Sequence, residues 1–267
     1  MVDLNISGHT RLYGIVADPI GHVKAPSLLN PRFAATGHDG VLVPFHVAAG
    51  DLAALMDALR RVPNFGGCAV TVPHKEAMAR LCDSLTDQAR LAGAVNVVRR
   101  DADGSLHGAM FDGEGFVVGL RAAGHAVEGR HVFIAGAGGA ASGIGFALAA
   151  AGAAAITLHN RTAARAQTLA ARIAAAYPRV AVAAGGPDPA GHDLVVNTTT
   201  LGLREGDALP VDPALLKPGM LAVEIIMDPA ETAFMRAAVA RGCRTHPGKP
   251  MLDGQLALIA RWMGAAV

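Results

Sequence analysis

The sequence predicts an α/β fold of two lobes, an N-terminal α/β lobe followed by a doubly wound parallel sheet. Three observations predict it. Val132 to Ala135 is a short apolar run that opens directly into Gly136-Ala137-Gly138-Gly139-Ala140-Ala141. The apolar run Ala140 to Ala151 then ends at Gly152, and a second strand, Ala155 to His159, follows at the spacing of a βαβ unit. Upstream, strand and helix patterns alternate from Arg11 to about Asn96, and 267 residues are enough for two domains of ordinary size.

The N-terminal elements follow from apolar spacing and from Gly and Pro as punctuation. Strands are predicted at Arg11 to Val16, Gly40 to Val47 and Gly67 to Thr71, alternating with helices at Pro26 to Ala35, Gly50 to Arg61 and Pro73 to Leu81. Leu52, Leu55, Met56 and Leu59 fall on one helical face. Gly93 to Val98 and Leu106 to Ala109 read as a hairpin pair around the Asp103-Gly104 turn. Asp112-Gly113-Glu114-Gly115 opens a helix, Phe116 to Ala123, that leads into the strand at His131. Segments at Val180 to Ala184, Asp193 to Asn197 and Met220 to Ile226 complete a parallel sheet, and a last helix is predicted at Leu252 to Met263. The expected division is 1–111 for the first domain, with 239–267 packing back on it, and 112–238 for the second.

Composition excludes several classes of function. The 52% hydrophobic content is mostly an alanine excess, and no charge-free apolar run has spanning length, so a membrane role is not expected. The 23 basic residues nearly balance the 22 acidic ones without a basic stripe, so nucleic acid is not an expected partner. Cys68, Cys82 and Cys243 are scattered, which argues against a disulfide framework and a zinc site and suits a reducing compartment. The start of the chain lacks the pattern of a signal peptide, and a cytoplasmic protein is expected. The eleven histidines show no metal-ligand spacing, and no metal is expected.

The glycine-rich turn specifies a ligand as well as a fold. Gly136-x-Gly138-x-x-Ala141 fits a turn in which backbone approaches a pyrophosphate while a helix N-terminus faces its charge. At the tip of the second strand a site for NAD would carry an acidic residue for the ribose hydroxyl. This chain carries Asn160, Arg161 and Thr162, with Arg165 one turn on, and nothing acidic to repel a 2′-phosphate. Guanidinium matches phosphate in shape and charge, so the expected cofactor is NADP. The plainer alternative is a pair of solvated helix arginines.

Hydride transfer also requires a group that moves the substrate's hydroxyl proton. Lys75 is the leading candidate, at a strand-to-helix junction where ligand crevices lie, although a lysine in a first helical turn is commonly a surface residue. Asp112, just before Gly113, is a second candidate, with an N-cap role equally compatible with its position.

These residues carry a family resemblance that spans Tyr13 to about Gly264. Its motifs run Gly14-x-x-x-Asp18-Pro19-Ile20-x-His22-x-Lys24-x-Pro26, Val70-Thr71-Val72-Pro73-His74-Lys75-Glu76, Gly93-Ala94-Val95-Asn96 and Asp112-Gly113-x-Gly115. They continue through the glycine turn and Asn160-Arg161-Thr162 to Asn197-Thr198-Thr199-x-x-Gly202, Pro229-x-x-Thr232 and Met251-Leu252-x-x-Gln255. The chain resembles the shikimate/quinate dehydrogenase family. The resemblance implies a catalytic pair, Lys75 and Asp112, with Thr71, Asn96 and Gln255 binding the hydroxyls of a polyol ring. It also implies that Gly136, Ala137, Gly138, Gly139, Ala140, Asn160, Arg161, Thr162 and Arg165 hold NADP, with Asn197, Thr198 and Thr199 beside it. A Rossmann-type second domain, a small-molecule substrate, a place in aromatic amino acid biosynthesis by way of chorismate, and a monomer or homodimer are further expectations.

The sequence departs from the family's pattern at the end that recognises an acid. Two serines that bind the substrate carboxylate are replaced by Val23 and Ala25, and Met227 stands in the place of a common pocket tyrosine. Ala69 and Met110-Phe111 make further apolar replacements. A hydrogen bond to a charged group contributes about 1.5–3 kcal/mol, so losing two weakens shikimate binding by on the order of 10²-fold or more. The sequence therefore predicts NADP-dependent interconversion of a cyclic secondary alcohol and its ketone, either shikimate or a less acidic analogue. The alternatives are a quinate or aminoshikimate type of dehydrogenase, and a regulator that binds NADP(H) without turnover.

Overall fold

The computed structural model describes residues 6–267. The chain separates after Phe111 into two units, and Gln255–Val267 belong with the first.

In the first unit the elements are β1 (Arg11–Ala17), α1 (Ala25–Thr36), β2 (Gly40–His46), α2 (Leu52–Arg60), β3 (Phe65–Val70), α3 (Lys75–Leu81), β4 (Ser84–Leu85), α4 (Asp87–Ala92), β5 (Val97–Arg100) and β6 (Leu106–Ala109). They form a sheet in the order β2-β1-β3-β5-β6-β4. The strands β2, β1 and β3 are parallel, and β5 joins β3 and β6 antiparallel through the hairpin at Asp103-Gly104. In α2, Leu52, Met56 and Leu59 are buried at helical spacing, and the core they join includes Val16, Phe65, Met78, Val95, Val98 and Leu106. The predicted strand at Gly93 to Val98 starts only at Val97, because Gly93 adopts φ +62° and caps α4, whose N-cap Thr86 accepts from the Ala89 amide at 3.2 Å.

The second unit covers Asp112–Gly254. Its elements are α5 (Asp112–Ala122), β7 (His131–Ala135), α6 (Gly139–Ala150), β8 (Ala155–His159), α7 (Ala163–Ala176), β9 (Ala181–Ala184), β10 (Leu194–Asn197), β11 (Leu221–Glu224), α8 (Ala233–Ala240) and β12 (Arg244–His246), with α9 (Lys249–Trp262) running on into the first unit's residues. The sheet is parallel throughout, in the order β12-β11-β10-β7-β8-β9. Chain order reverses between β7 and β10, the switch point where ligands bind such sheets.

Two expectations require correction. The second unit does not end at 238, because β12 pairs with β11 and extends its sheet, which carries the unit through Gly254. The helix predicted to begin at Phe116 begins at Asp112, so Gly113 and Gly115 are helical. The small size of Gly113 and of Gly254 serves close packing. A Cβ on Gly113 would lie 2.2 Å from the Gly143 carbonyl oxygen of α6, and one on Gly254 would lie 2.8 Å from the Gly115 carbonyl oxygen. Among the described residues no helix is long and apolar enough to cross a membrane, and no cluster of His, Cys, Asp and Glu could hold a metal ion.

Candidate functional site

In the second unit the glycine turn lies between the tips of two strands. The Gly136 amide donates to the His159 carbonyl at 2.7 Å, and the Thr198 amide and hydroxyl donate to the Ala135 carbonyl at 2.9 and 2.7 Å. Gly136 takes φ +118°, and a Cβ there would sit 2.3 Å from the Thr198 hydroxyl oxygen, so the chain itself demands this glycine. Gly138 is different. It caps α6 with φ −93°, and a Cβ on it would meet nothing within 4 Å. Protein packing does not account for that glycine, whereas a pyrophosphate laid against the first turn of α6 would occupy the space a Cβ takes. Ala137 is buried behind the turn, and Gly139 and Ala140 form the first turn of α6, whose leading amides have no acceptor inside the helix.

The tip of β8 stands next to this turn. The Asn160 side-chain amide donates to the Thr162 carbonyl at 3.0 Å, and Thr162 caps α7. Arg161 and Arg165 are exposed at the start of that helix. The donor set, with open backbone, two guanidiniums and no carboxylate from His159 to Arg165, fits a dinucleotide that carries a 2′-phosphate.

Beyond β10 the chain folds around a buried polar network. The Asn197 side-chain oxygen accepts from the Thr199 amide at 3.1 Å and the Thr199 hydroxyl at 2.7 Å. Its amide nitrogen donates to the Leu201 carbonyl at 3.0 Å and to both Glu224 oxygens at 3.1 and 3.0 Å. Glu224 also accepts from the Ile225 and Ile226 amides and from the Thr232 hydroxyl, which is the N-cap of α8. Burial raises the Glu224 pKa, and its four donor groups act in the opposite direction. Sequence reading passed over Glu224 as a site residue. The available signal was an acidic residue closing the apolar run Leu221-Ala222-Val223, since a buried carboxylate must find donors.

In the first unit a second polar group collects beyond the ends of β1 and β3. The Thr71 amide donates to the Val16 carbonyl at 3.1 Å and the Asp18 amide to the Val72 carbonyl at 3.0 Å, so the residues after the two strands run side by side. Lys75 opens α3. Its carbonyl accepts from the Val95 amide at 3.0 Å, which ties the helix start to the residue before Asn96. His74, 1% exposed, anchors the same point, with its Nε2 2.8 Å from the Val47 carbonyl that accepts from it. The Asn96 amide nitrogen donates to the Gln255 oxygen at 2.6 Å, and its oxygen accepts from the Phe111 amide at 2.9 Å. Asn96 and Gln255 are both buried, and the pairing leaves the Gln255 amide nitrogen to donate elsewhere.

The structure thus brings Thr71, Lys75, Asn96 and Gln255 into one unit. Val23 lies in the segment between β1 and α1 of that unit, and Ala25 is buried as the first residue of α1. Asp112 is buried at the start of α5, and Met227 is half-buried three residues beyond the end of β11.

Comparison with known proteins places this geometry. Residues 15–98 match the family model for the shikimate dehydrogenase substrate binding domain, and residues 120–183 match that for shikimate / quinate 5-dehydrogenase. The chain is 41% identical over 256 residues to a shikimate dehydrogenase (NADP(+)) of Rubrobacter xylanophilus, covering 92% of this chain and 88% of that one. Among solved structures, shikimate 5-dehydrogenase of Thermus thermophilus in complex with NADP(H) and shikimate is similar with TM-score 0.84 and 30% identity, over 96% of this chain and 94% of that one. The ligand-free 5-ketofructose reductase of a Gluconobacter strain is similar with TM-score 0.81 and 31% identity, over 98% and 95%.

Proposed function

Because this chain belongs to the shikimate/quinate dehydrogenase family, we propose that it is an NADP-dependent oxidoreductase interconverting a cyclic secondary alcohol and its ketone, and that its preferred substrate is less acidic than shikimate. The observation that carries the substrate class is a contrast within the first unit. The groups that would hold ring hydroxyls and move a proton are present in Thr71, Lys75, Asn96 and Gln255, while Val23 and Ala25 offer only alkyl surface where an acid needs donors. The likeness to a protein named as a reductase of 5-ketofructose, an uncharged polyhydroxy ketone, supports this reading.

When bound, NADP supplies the hydride acceptor in oxidation and, reduced, the hydride donor. The chain's own groups do the rest. The amides of Asn96 and Gln255 orient the ring through its hydroxyls. Lys75 Nζ takes the hydroxyl proton during oxidation, directly or through a bound water, and its ammonium returns a proton to the carbonyl oxygen during reduction. Asp112 is the second residue of the catalytic pair that the family resemblance implies. Positioning and preorganised charge supply the acceleration. The free thiols of Cys68, Cys82 and Cys243 suit a reducing compartment, and we place the enzyme in the cytoplasm as a monomer or homodimer.

The test is a steady-state panel with NADPH as reductant, comparing 3-dehydroshikimate, 3-dehydroquinate and uncharged cyclic polyhydroxy ketones. An uncharged ketone should give a kcat/KM at least about tenfold above that of 3-dehydroshikimate, as expected when hydrogen bonds to a carboxylate are missing. A clear preference for 3-dehydroshikimate would overturn the substrate class and leave the activity in place. Tight NADPH binding with no turnover of any ketone would favour the regulator.

A further inference from the structure

The carboxylate of Glu224 is more than a core residue that has found partners. It is 1% exposed, and an ion at such a position carries a desolvation cost that an apolar residue would avoid. Its two oxygens divide their work. Oε1 accepts from the Ile225 and Ile226 amides at 2.8 and 3.0 Å, which fixes the backbone just ahead of Met227. Oε2 accepts from the Thr232 hydroxyl at 2.9 Å, and both oxygens face the Asn197 amide nitrogen.

The last contact has a directional consequence. A carboxylate can only accept, so it compels Asn197 to turn its nitrogen inward and its oxygen toward Thr199. That oxygen takes up the Thr199 amide and hydroxyl, and the Thr199 hydroxyl oxygen accepts in turn from the Leu201 amide at 3.0 Å. The chain of donors therefore runs from the end of β11 to the turn after β10, which flanks the switch point beside the Gly136 turn.

We propose that Glu224 is a positioning residue for the cofactor: its carboxylate sets the orientation of the Asn197 amide, and through it the shape of the Thr198–Leu201 turn that receives the dinucleotide. This rests on the NADP reading given above. Glu224 acts only through Asn197 and the backbone it fixes.

Glu224→Gln tests the proposal. The amide is nearly isosteric but has one acceptor, which the Ile225 and Ile226 amides claim, so its nitrogen faces the Asn197 nitrogen. Asn197 thereby loses the acceptor at the Oε2 position, and the amide orientation on which its Thr199 contacts depend is held less firmly. The expected result is a dissociation constant for NADPH, measured by fluorescence titration of the folded variant, raised on the order of tenfold, as for one lost charge-assisted hydrogen bond. Thr199→Val should weaken NADPH similarly, Thr199→Ser should restore it, and the Gln and Val changes together should weaken it by less than the product of their separate effects.

A Glu224→Gln protein that melts at lower temperature yet binds NADPH like the parent, or effects that multiply in the double variant, would overturn the proposal by showing a purely structural carboxylate. Should the Gln variant fail to fold, Glu224→Asp combined with Thr199→Val reads the same coupling, with independent effects again overturning it. Failure of the parent to bind NADPH would remove the cofactor reading and this inference together. Normal binding by both parent and variant would remove this inference alone.

Discussion

The glycine turn of the second unit and the polar group of the first unit differ in how their polar atoms are met. At the glycine turn of the second unit, Gly136 yields to Thr198, Gly138 leaves room that no protein atom fills, and Asn197 is held by Glu224. At the substrate end of the first unit a polar group built on Lys75, Asn96 and Gln255 coexists with alkyl side chains at Val23 and Ala25. The difference supports treating the proposed cofactor residues and the proposed substrate residues separately, because they lie at the strand ends of different sheets.

The largest expected effect isolates the chemistry. Lys75→Ala should lower kcat on the preferred ketone by about 10²- to 10⁴-fold, the usual contribution of a positioned general acid, and leave the NADPH dissociation constant unchanged. Stopped-flow turnover and fluorescence titration of the same preparation check both halves. Loss of NADPH binding in this variant would break the separation between the two ends.

The next effect reverses the substrate change. Val23→Ser together with Ala25→Ser should raise kcat/KM for 3-dehydroshikimate by on the order of 10²-fold, since each restored hydroxyl contributes about 1.5–3 kcal/mol to a charged acceptor. The uncharged ketone should gain nothing. An equal gain for both substrates would mean that the segment controls packing and not recognition of charge.

At the other end, Arg161→Ala should weaken NADPH by about tenfold or somewhat more, one charge-assisted contact, and leave NADH binding unchanged. A parallel loss for both cofactors would assign Arg161 to the pyrophosphate and shift the 2′-phosphate contact to Arg165.

Much of this comparison was legible in the sequence because it rests on local rules. A glycine turn between an apolar strand and a helix, followed by a second strand at βαβ spacing, suits a pyrophosphate, and Asn160-Arg161-Thr162 at the next strand tip reads directly as charge. What escaped depends on distant partners. The resemblance named Gln255 together with Asn96, but nothing in the chain announces the direct hydrogen bond between them across 159 positions, and β12 was unreadable because three residues, Arg244–His246, carry too little pattern to mark a strand until β11 pairs with it. The helix start was placed after Gly113 and Gly115 because glycines commonly lie ahead of a helix, and the packing of Gly113 against Gly143 is visible only in three dimensions. Glu224 was passed over for the opposite reason: its donors are mostly nearby, but burial is what makes them consequential.

The smallest expected effect concerns the far edge of the second unit, where His246 of β12 meets His125 edge to face with ring centroids 5.5 Å apart. Burial lowers the pKa of His246, with the neighbouring His125 adding to the shift, and burial followed by Arg244 lowers that of His125. A base whose folded pKa is depressed binds protons more readily once unfolded. Its contribution to stability is therefore complete above the unfolded value, near 6.5, and drains away as pH falls from there through the lower folded value. Urea unfolding between neutral and mildly acidic pH should show stability declining across that window. In His246→Phe, which keeps an aromatic edge contact but cannot take a proton, the decline should be shallower, and NADPH affinity at neutral pH should match the parent, since the edge strand lies two strands from β10. An unchanged slope would assign the acid sensitivity to other groups. A slope that flattens together with a change in NADPH affinity would mean that the sheet edge and the cofactor turn are not independent, and the separation of roles drawn between the protein's two ends would then not extend to parts within the second unit.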